Sequence, residues 1–193
     1  MRVLENHRLE GVQFLPSPNC DERSAAADVT LVVIHCISLP RGEFGSKVPS
    51  ALFTNSIDFY RYEELKDLDG LRVSAHVLVE RNGEVTQFVP FDKRAWHAGV
   101  STWQGRTNCN DFSIGIELEG TDDSEYEDIQ YDVLTAILTA LFARYSAISF
   151  GNVVGHAEIA AGRKTDPGPL FDWRRLFSKL AKNVPSHKSS NSS

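Results

Sequence analysis

The chain has 193 residues, 41% of them hydrophobic and 24% charged, with a formal net charge of −6. That length supplies one sizeable core and not two, the composition is that of a folded protein, and the acidic balance excludes the broad phosphate neutralisation behind general nucleic-acid binding. No apolar run reaches the roughly 18 residues of a membrane span, no signal-type apolar stretch follows Met1, and three scattered cysteines, Cys20, Cys36 and Cys109, make no disulfide framework.

One domain over residues 1–184 is expected, in a reducing, cytoplasmic setting and with no membrane, nucleic acid or obligatory protein partner. Polar, irregular residues 1–28 lead into Val29–His35, which reads as a buried strand ending on a histidine. The loop Ser38–Ser50, rich in Pro and Gly, is long for a simple connection and so suggests the border of a site. A short helix is expected around Ser56–Leu65. Residues 73–90 give two β segments joined at Asn82-Gly83, a dipeptide suited to the positive φ angles of a tight hairpin.

Ser113–Leu118 is a further apolar strand, followed by an acidic loop to Glu127. From Ile129 to Tyr145, Val133, Leu134, Ile137, Leu138, Leu141 and Phe142 recur at spacings of three and four, as in a helix packed on a sheet. Val153–His156 resembles a short strand that again ends on a histidine, then come a loop, Ala157–Pro169, and a last helix from Asp172 to about Lys182. The Ser- and Lys-rich tail, 185–193, is expected to be disordered. Interleaved helices and strands with one hairpin imply an α/β fold in which helices flank a central mixed sheet.

His35 and His156 each close an apolar strand and could present imidazoles at one edge of that sheet. Asp166, ten residues after His156 and followed by Pro-Gly, adds a carboxylate on a fixed turn. Two imidazoles and one carboxylate make a zinc set with an open fourth position, as catalytic sites require. Cys36 is directed to the opposite face of its strand from His35. Glu117 interrupts an apolar strand, which fits either a functional carboxylate or an ordinary solvent-facing residue. Lys164, two residues before Asp166, is by itself an ordinary loop charge. Trp96 offers an aromatic face to a ligand or a core contact.

The strings HCISLP (35–40), AWHAG (95–99), NDFSIGIELEGTD (110–122), VGHAEIA (154–160) and GRKTDPGP (162–169) resemble the bacterial N-acetylmuramoyl-L-alanine amidases of the AmpD type. These are related in fold to bacteriophage T7 lysozyme and the peptidoglycan recognition proteins. The resemblance implies that zinc is held by His35, His156 and Asp166, with Glu117 as proton acceptor and donor and Lys164 stabilising the oxyanion. It implies a muropeptide substrate, cut between the lactyl group of (1,6-anhydro-)N-acetylmuramic acid and L-alanine in cytoplasmic murein recycling. Indirect restraint of β-lactamase induction would follow in hosts with that circuit. The chain departs from the pattern at Cys36, where asparagine is usual, and at Asn108, where relatives often carry a further basic residue. Recognition of the acidic stem peptide would then rest on Arg72 and Arg106, with Trp96 against the sugar or lactyl group. A non-catalytic peptidoglycan-binding module and a wall-lytic amidase are the competing expectations.

Overall fold

Leu31–Ile34 can be apolar at four successive positions because the strand they form is covered on both faces, as strands inside parallel sheets are. The computed structural model describes residues 1–24 and 29–183; the tail 185–193 lies outside them. In chain order the elements are β1 (Gln13–Phe14), β2 (Cys20–Glu22), β3 (Leu31–Ile37), α1 (Val48–Phe53), a 3-10 turn (Glu63–Leu68), β4 (Val77–Val79) and β5 (Val85–Gln87). They continue with β6 (Lys93–Ala95), β7 (Thr102–Trp103), β8 (Arg106–Thr107), β9 (Ser113–Glu119), α2 (Asp128–Arg144), β10 (Val153–Gly155), α3 (His156–Ile159) and α4 (Trp173–Asn183).

Six strands form one sheet in the order β1-β5-β4-β9-β3-β10. Only β4 and β5 pair antiparallel within it; the other neighbours are parallel, so the sheet is mixed as expected. Alternation along the strands decides what each face buries. Val32 and Ile34 of β3 and Ile114, Ile116 and Leu118 of β9 meet Leu134, Ile137, Leu138 and Leu141 of α2 and Leu176 and Leu180 of α4. Full burial of each such side chain stabilises the fold by about 1.5–3 kcal/mol. The other face carries two smaller apolar clusters. One gathers Leu31, Val33, Phe112, Val154 and Ile159, and the second Leu52, Phe53, Ala75, Leu78 and Phe88. His35 and Glu117 belong to this second face and are register partners across β3 and β9.

Four local expectations are corrected. The short helix lies at Val48–Phe53, not Ser56–Leu65, because Pro49 occupies its first turn, where a missing N–H costs nothing. Asp58 instead accepts from the Tyr60 amide (3.1 Å), a local turn that competes with helix. The hairpin at 80–84 places only Gly83 at positive φ (+85°); the Glu80 and Glu84 backbones pair across a three-residue loop. β3 continues past His35 to Ile37, and His156 opens α3 instead of closing β10.

Candidate metal centre and catalytic cleft

β3, between β9 and the edge strand β10, delivers His35, and β10, hydrogen-bonded beside it with Gly155 opposite Ile34, hands the chain to α3 and so places His156 next to His35. The loop after α3 returns to bring Asp166 over both. Its backbone carbonyl accepts from the Ala157 amide (3.0 Å), and the Pro167 carbonyl accepts from the Tyr126 hydroxyl (2.7 Å). Thr165 donates to Asp122 (2.7 Å), tying the same loop to the turn after β9.

Three ligand atoms converge. His35 Nδ1 is 3.0 Å from His156 Nδ1 and 3.1 Å from Asp166 Oδ2, and His156 Nδ1 is 3.0 Å from the same oxygen. Tetrahedral ligation at zinc–nitrogen and zinc–oxygen distances of about 2.0–2.2 Å spaces ligand atoms by roughly 3.3–3.5 Å, close to this triangle. The chemistry of the donors fits as well. His156 Nε2–H donates to the Ala98 carbonyl (3.0 Å), which leaves Nδ1 as a lone pair. His35 can donate Nε2–H to His97 Nδ1 (2.9 Å), with His97 Nε2–H passing on to Ser113 Oγ (3.1 Å), which leaves its Nδ1 free too. Two lone pairs and a carboxylate oxygen facing one another call for a cation. Among the described residues this is the group of three or more His, Cys, Asp or Glu side chains suited to a metal.

The electrostatics agree. Burial pushes the His35 imidazolium down to about 4, against the opposing pull of its bond to Asp166, so the ring is neutral and able to coordinate. Burial alone would raise Asp166, but its bonds to His156 and His35 outweigh that and hold the carboxylate well below the usual range. Burial, and then the Asp166 charge, raise Glu117 well above an ordinary glutamate, and the Lys164 charge opposes them. Glu117 Oε2 is sealed from solvent and has no hydrogen-bond partner, a costly condition for a carboxyl group. Cys36, on the other face of β3, packs beside Tyr126, and burial drives its thiol up to about 12.

A cleft of about 240 Å³ opens onto the group, lined by His35, Glu117, His156, Lys164, Asp166 and Trp96 among others. Leu52, Phe53, Leu71 and Val73 make its apolar wall. A second depression of about 280 Å³ shares Cys36, Ile37, Lys164 and Asp166 with it and adds Arg41 and Arg163. The structure thus gathers six of the eight candidate residues in one cleft. Arg72 instead lines a neighbouring pocket beside Leu71. Arg106 lies over the Phe112 ring, 3.8 Å from its centroid, and donates to Thr30. Sequence reasoning assigned no role to His97, Asn110, Ser113 or Arg163; the available signal was their place in the strings AWHAG (95–99), NDFSIGIELEGTD (110–122) and GRKTDPGP (162–169).

One further histidine is structural. His76 Nδ1 accepts from the Gly115 amide (3.0 Å), so Nε2–H donates to the Lys93 carbonyl (3.0 Å). Burial, and then Arg23, push it from 6.5 down to about 3. Its folded pKa therefore lies below the unfolded one; the stability tied to the neutral ring is complete above about pH 6.5 and is lost as pH falls toward about 3. Chelator-treated protein is expected to unfold at lower urea as pH goes from about 7.5 to about 5.5, with His76→Asn removing up to about 1.4 kcal/mol per pH unit of that slope. An equal slope in the variant would assign the effect elsewhere.

Residues 25–169 match the N-acetylmuramoyl-L-alanine amidase family. Over 182 residues the chain is 54% identical to the 1,6-anhydro-N-acetylmuramyl-L-alanine amidase AmpD of Escherichia coli (strain K12), covering 94% of this chain and 99% of that one. A crystal structure of a selenomethionine AmpD derivative aligns with a TM-score of 0.88 at 52% identity, over 92% of this chain and 98% of the other. The complex of AmiD, an N-acetylmuramyl-L-alanine amidase from E. coli, with anhydro-N-acetylmuramic acid-L-Ala-D-gamma-Glu-L-Lys aligns at 0.57 and 36% identity, over 82% of this chain and 60% of that one.

Proposed function

The chain belongs to the N-acetylmuramoyl-L-alanine amidase family, and from that premise we propose that it is a zinc-dependent enzyme of cytoplasmic murein recycling, carried by one domain over residues 1–184. As an amidase of this family it hydrolyses the bond between the lactyl group of N-acetylmuramic acid and L-alanine; the 1,6-anhydro form is the substrate proposed, after the relatives that match it nearly end to end. In hosts where such fragments induce β-lactamase, their removal would restrain that response. The observation that carries the reading is the convergence of His35 Nδ1, His156 Nδ1 and Asp166 Oδ2 in the cleft that Glu117 and Lys164 also line.

Zinc held by those three ligands supplies Lewis-acid polarisation of the scissile carbonyl and acidifies water. Glu117, whose carboxyl holds a proton more tightly than usual, takes one from the attacking water and delivers it to the alanine nitrogen as the C–N bond breaks. Lys164 places its positive charge against the developing oxyanion. Trp96, which lines the cleft, offers a flat wall for the sugar and lactyl group. Arg72, adjacent in sequence to the cleft-lining Leu71, and Arg106 are the proposed partners for stem-peptide carboxylates. A non-catalytic binding module has no use for a buried, unpaired glutamate beside a ligand triad.

The test is to incubate zinc-loaded protein with 1,6-anhydro-muramyl tripeptide and, separately, with intact cell wall. Release of peptide from the soluble fragment is expected, with Arg72→Ala raising KM about tenfold at little change in kcat. Preference for polymeric wall would replace the recycling role by a lytic one, and an unchanged KM would remove Arg72 from peptide recognition.

A further inference from the structure

Two of the family-like strings, AWHAG (95–99) and the opening of NDFSIGIELEGTD (110–122), contain residues with no part in the proton and charge transfers above. They meet directly behind the two imidazoles. His97 Nδ1 lies 2.9 Å from His35 Nε2, and the carbonyl of the next residue, Ala98, lies 3.0 Å from His156 Nε2. One dipeptide therefore holds the rear nitrogen of both histidines. That dipeptide is itself held by one atom: Asn110 Oδ1 accepts from the His97 amide (3.1 Å) and from the Ala98 amide (2.8 Å).

Asn110 is in turn fixed from outside the site. Arg23 Nη1 donates to the carbonyls of Asn110 (2.9 Å) and Asp111 (3.0 Å). Ser101 Oγ joins the Gly99 carbonyl (3.0 Å) to the Cys109 amide (3.1 Å), closing the loop between the two strings. Arg163 Nη2 donates to Ala98 O as well (2.7 Å), so that carbonyl is locked from two directions.

We propose that Asn110 is a positioning residue for the metal centre, holding residues 97 and 98 as a bracket that orients both His35 and His156 with Nδ1 toward the ion. The proposal rests on the zinc reading of the preceding subsection. An imidazole without a fixed rear partner can turn over and offer Nε2 instead, and the triangle of donor atoms is lost for part of the time. Outer partners of metal-binding histidines typically contribute 10–100-fold in metal affinity. The requirement at position 110 is an acceptor able to take two N–H groups. Aspartate meets it and leucine, of similar size, does not.

Zinc affinity is to be measured by competition with a chromophoric chelator on folded wild type, Asn110→Leu and Asn110→Asp, with far-UV circular dichroism as the folding control. Asn110→Leu is expected to bind zinc about 10–100-fold more weakly, and Asn110→Asp within about threefold of wild type. The visible spectrum of cobalt-loaded Asn110→Leu should also shift from that of wild type, a change that loss of general stability would not produce. If Asn110→Leu does not fold, His97→Ala and His97→Asn carry the same test, because the asparagine amide oxygen can take the place of Nδ1. Wild-type affinity in folded Asn110→Leu, or equal weakening in Asn110→Asp, overturns the bracket. A wild-type protein that binds no zinc overturns the metal reading and the bracket together, and the wild-type arm alone distinguishes that case.

Discussion

Replacing Glu117 with alanine is expected to lower turnover by roughly a hundredfold or more while zinc content is unchanged. The residue projects from β9 on the same face as its register partner His35, yet its carboxylate is outside the triangle of ligand atoms. Its loss should therefore remove a proton carrier and leave the donors in place. The same argument predicts an unusual companion effect. Oε2 is buried without a partner, so the fold sustains a desolvation cost at this position, and the alanine variant should be more stable than wild type, by about 1 kcal/mol. Assays of the zinc-loaded variant with thermal melts alongside would check both. Turnover near wild type removes Glu117 from the mechanism, and a lowered melting temperature means that its carboxyl is satisfied in solution.

Replacing Asp166 or His156 with alanine should abolish activity by a different route. Each supplies one of three atoms that lie 3.0–3.1 Å apart, and two donors alone leave the ion largely to solvent. Zinc measured after dialysis should fall from about one per chain to near zero, and hydrolysis to background. Chelation of the wild type should do the same and added zinc should reverse it, whereas added zinc should not rescue the variants at ordinary concentrations. Retention of stoichiometric zinc by Asp166→Ala would give the third ligand position to another residue.

Much of the site was legible because its parts sit where chain pattern changes. His35 and His156 were each read at the end of an apolar run, close to where the strand and the helix start place them, and Asp166 stands before Pro-Gly, so residue type and place agree. Glu117 was legible as an anomaly and its role only by family likeness; burial and the missing hydrogen-bond partner are three-dimensional facts. The bracket was not legible, since half of it is the Ala98 carbonyl and every residue has a carbonyl. Arg72 and Arg106 were chosen for charge alone, and charge does not say which pocket a long side chain borders. On the fold side, α2 could be read from its apolar residues at spacings of three and four, and the presence of a hairpin, though not its three-residue loop, from Asn82-Gly83. α1 was misplaced because six residues are too few to show a period, and its start is set by Pro49.

The pairing of His35 with Glu117 has a consequence for loop exchange. The two residues are neighbours on hydrogen-bonded parallel strands, so their separation is set by the strand spacing of about 4.8 Å that every sheet shares. No loop length enters that distance. A change in the length of the segments around the cleft, 38–47 and 67–73, is therefore expected to leave Glu117 and His35 in the same relative position. Chimaeras that swap those segments are therefore expected to keep the reaction while altering what undergoes it.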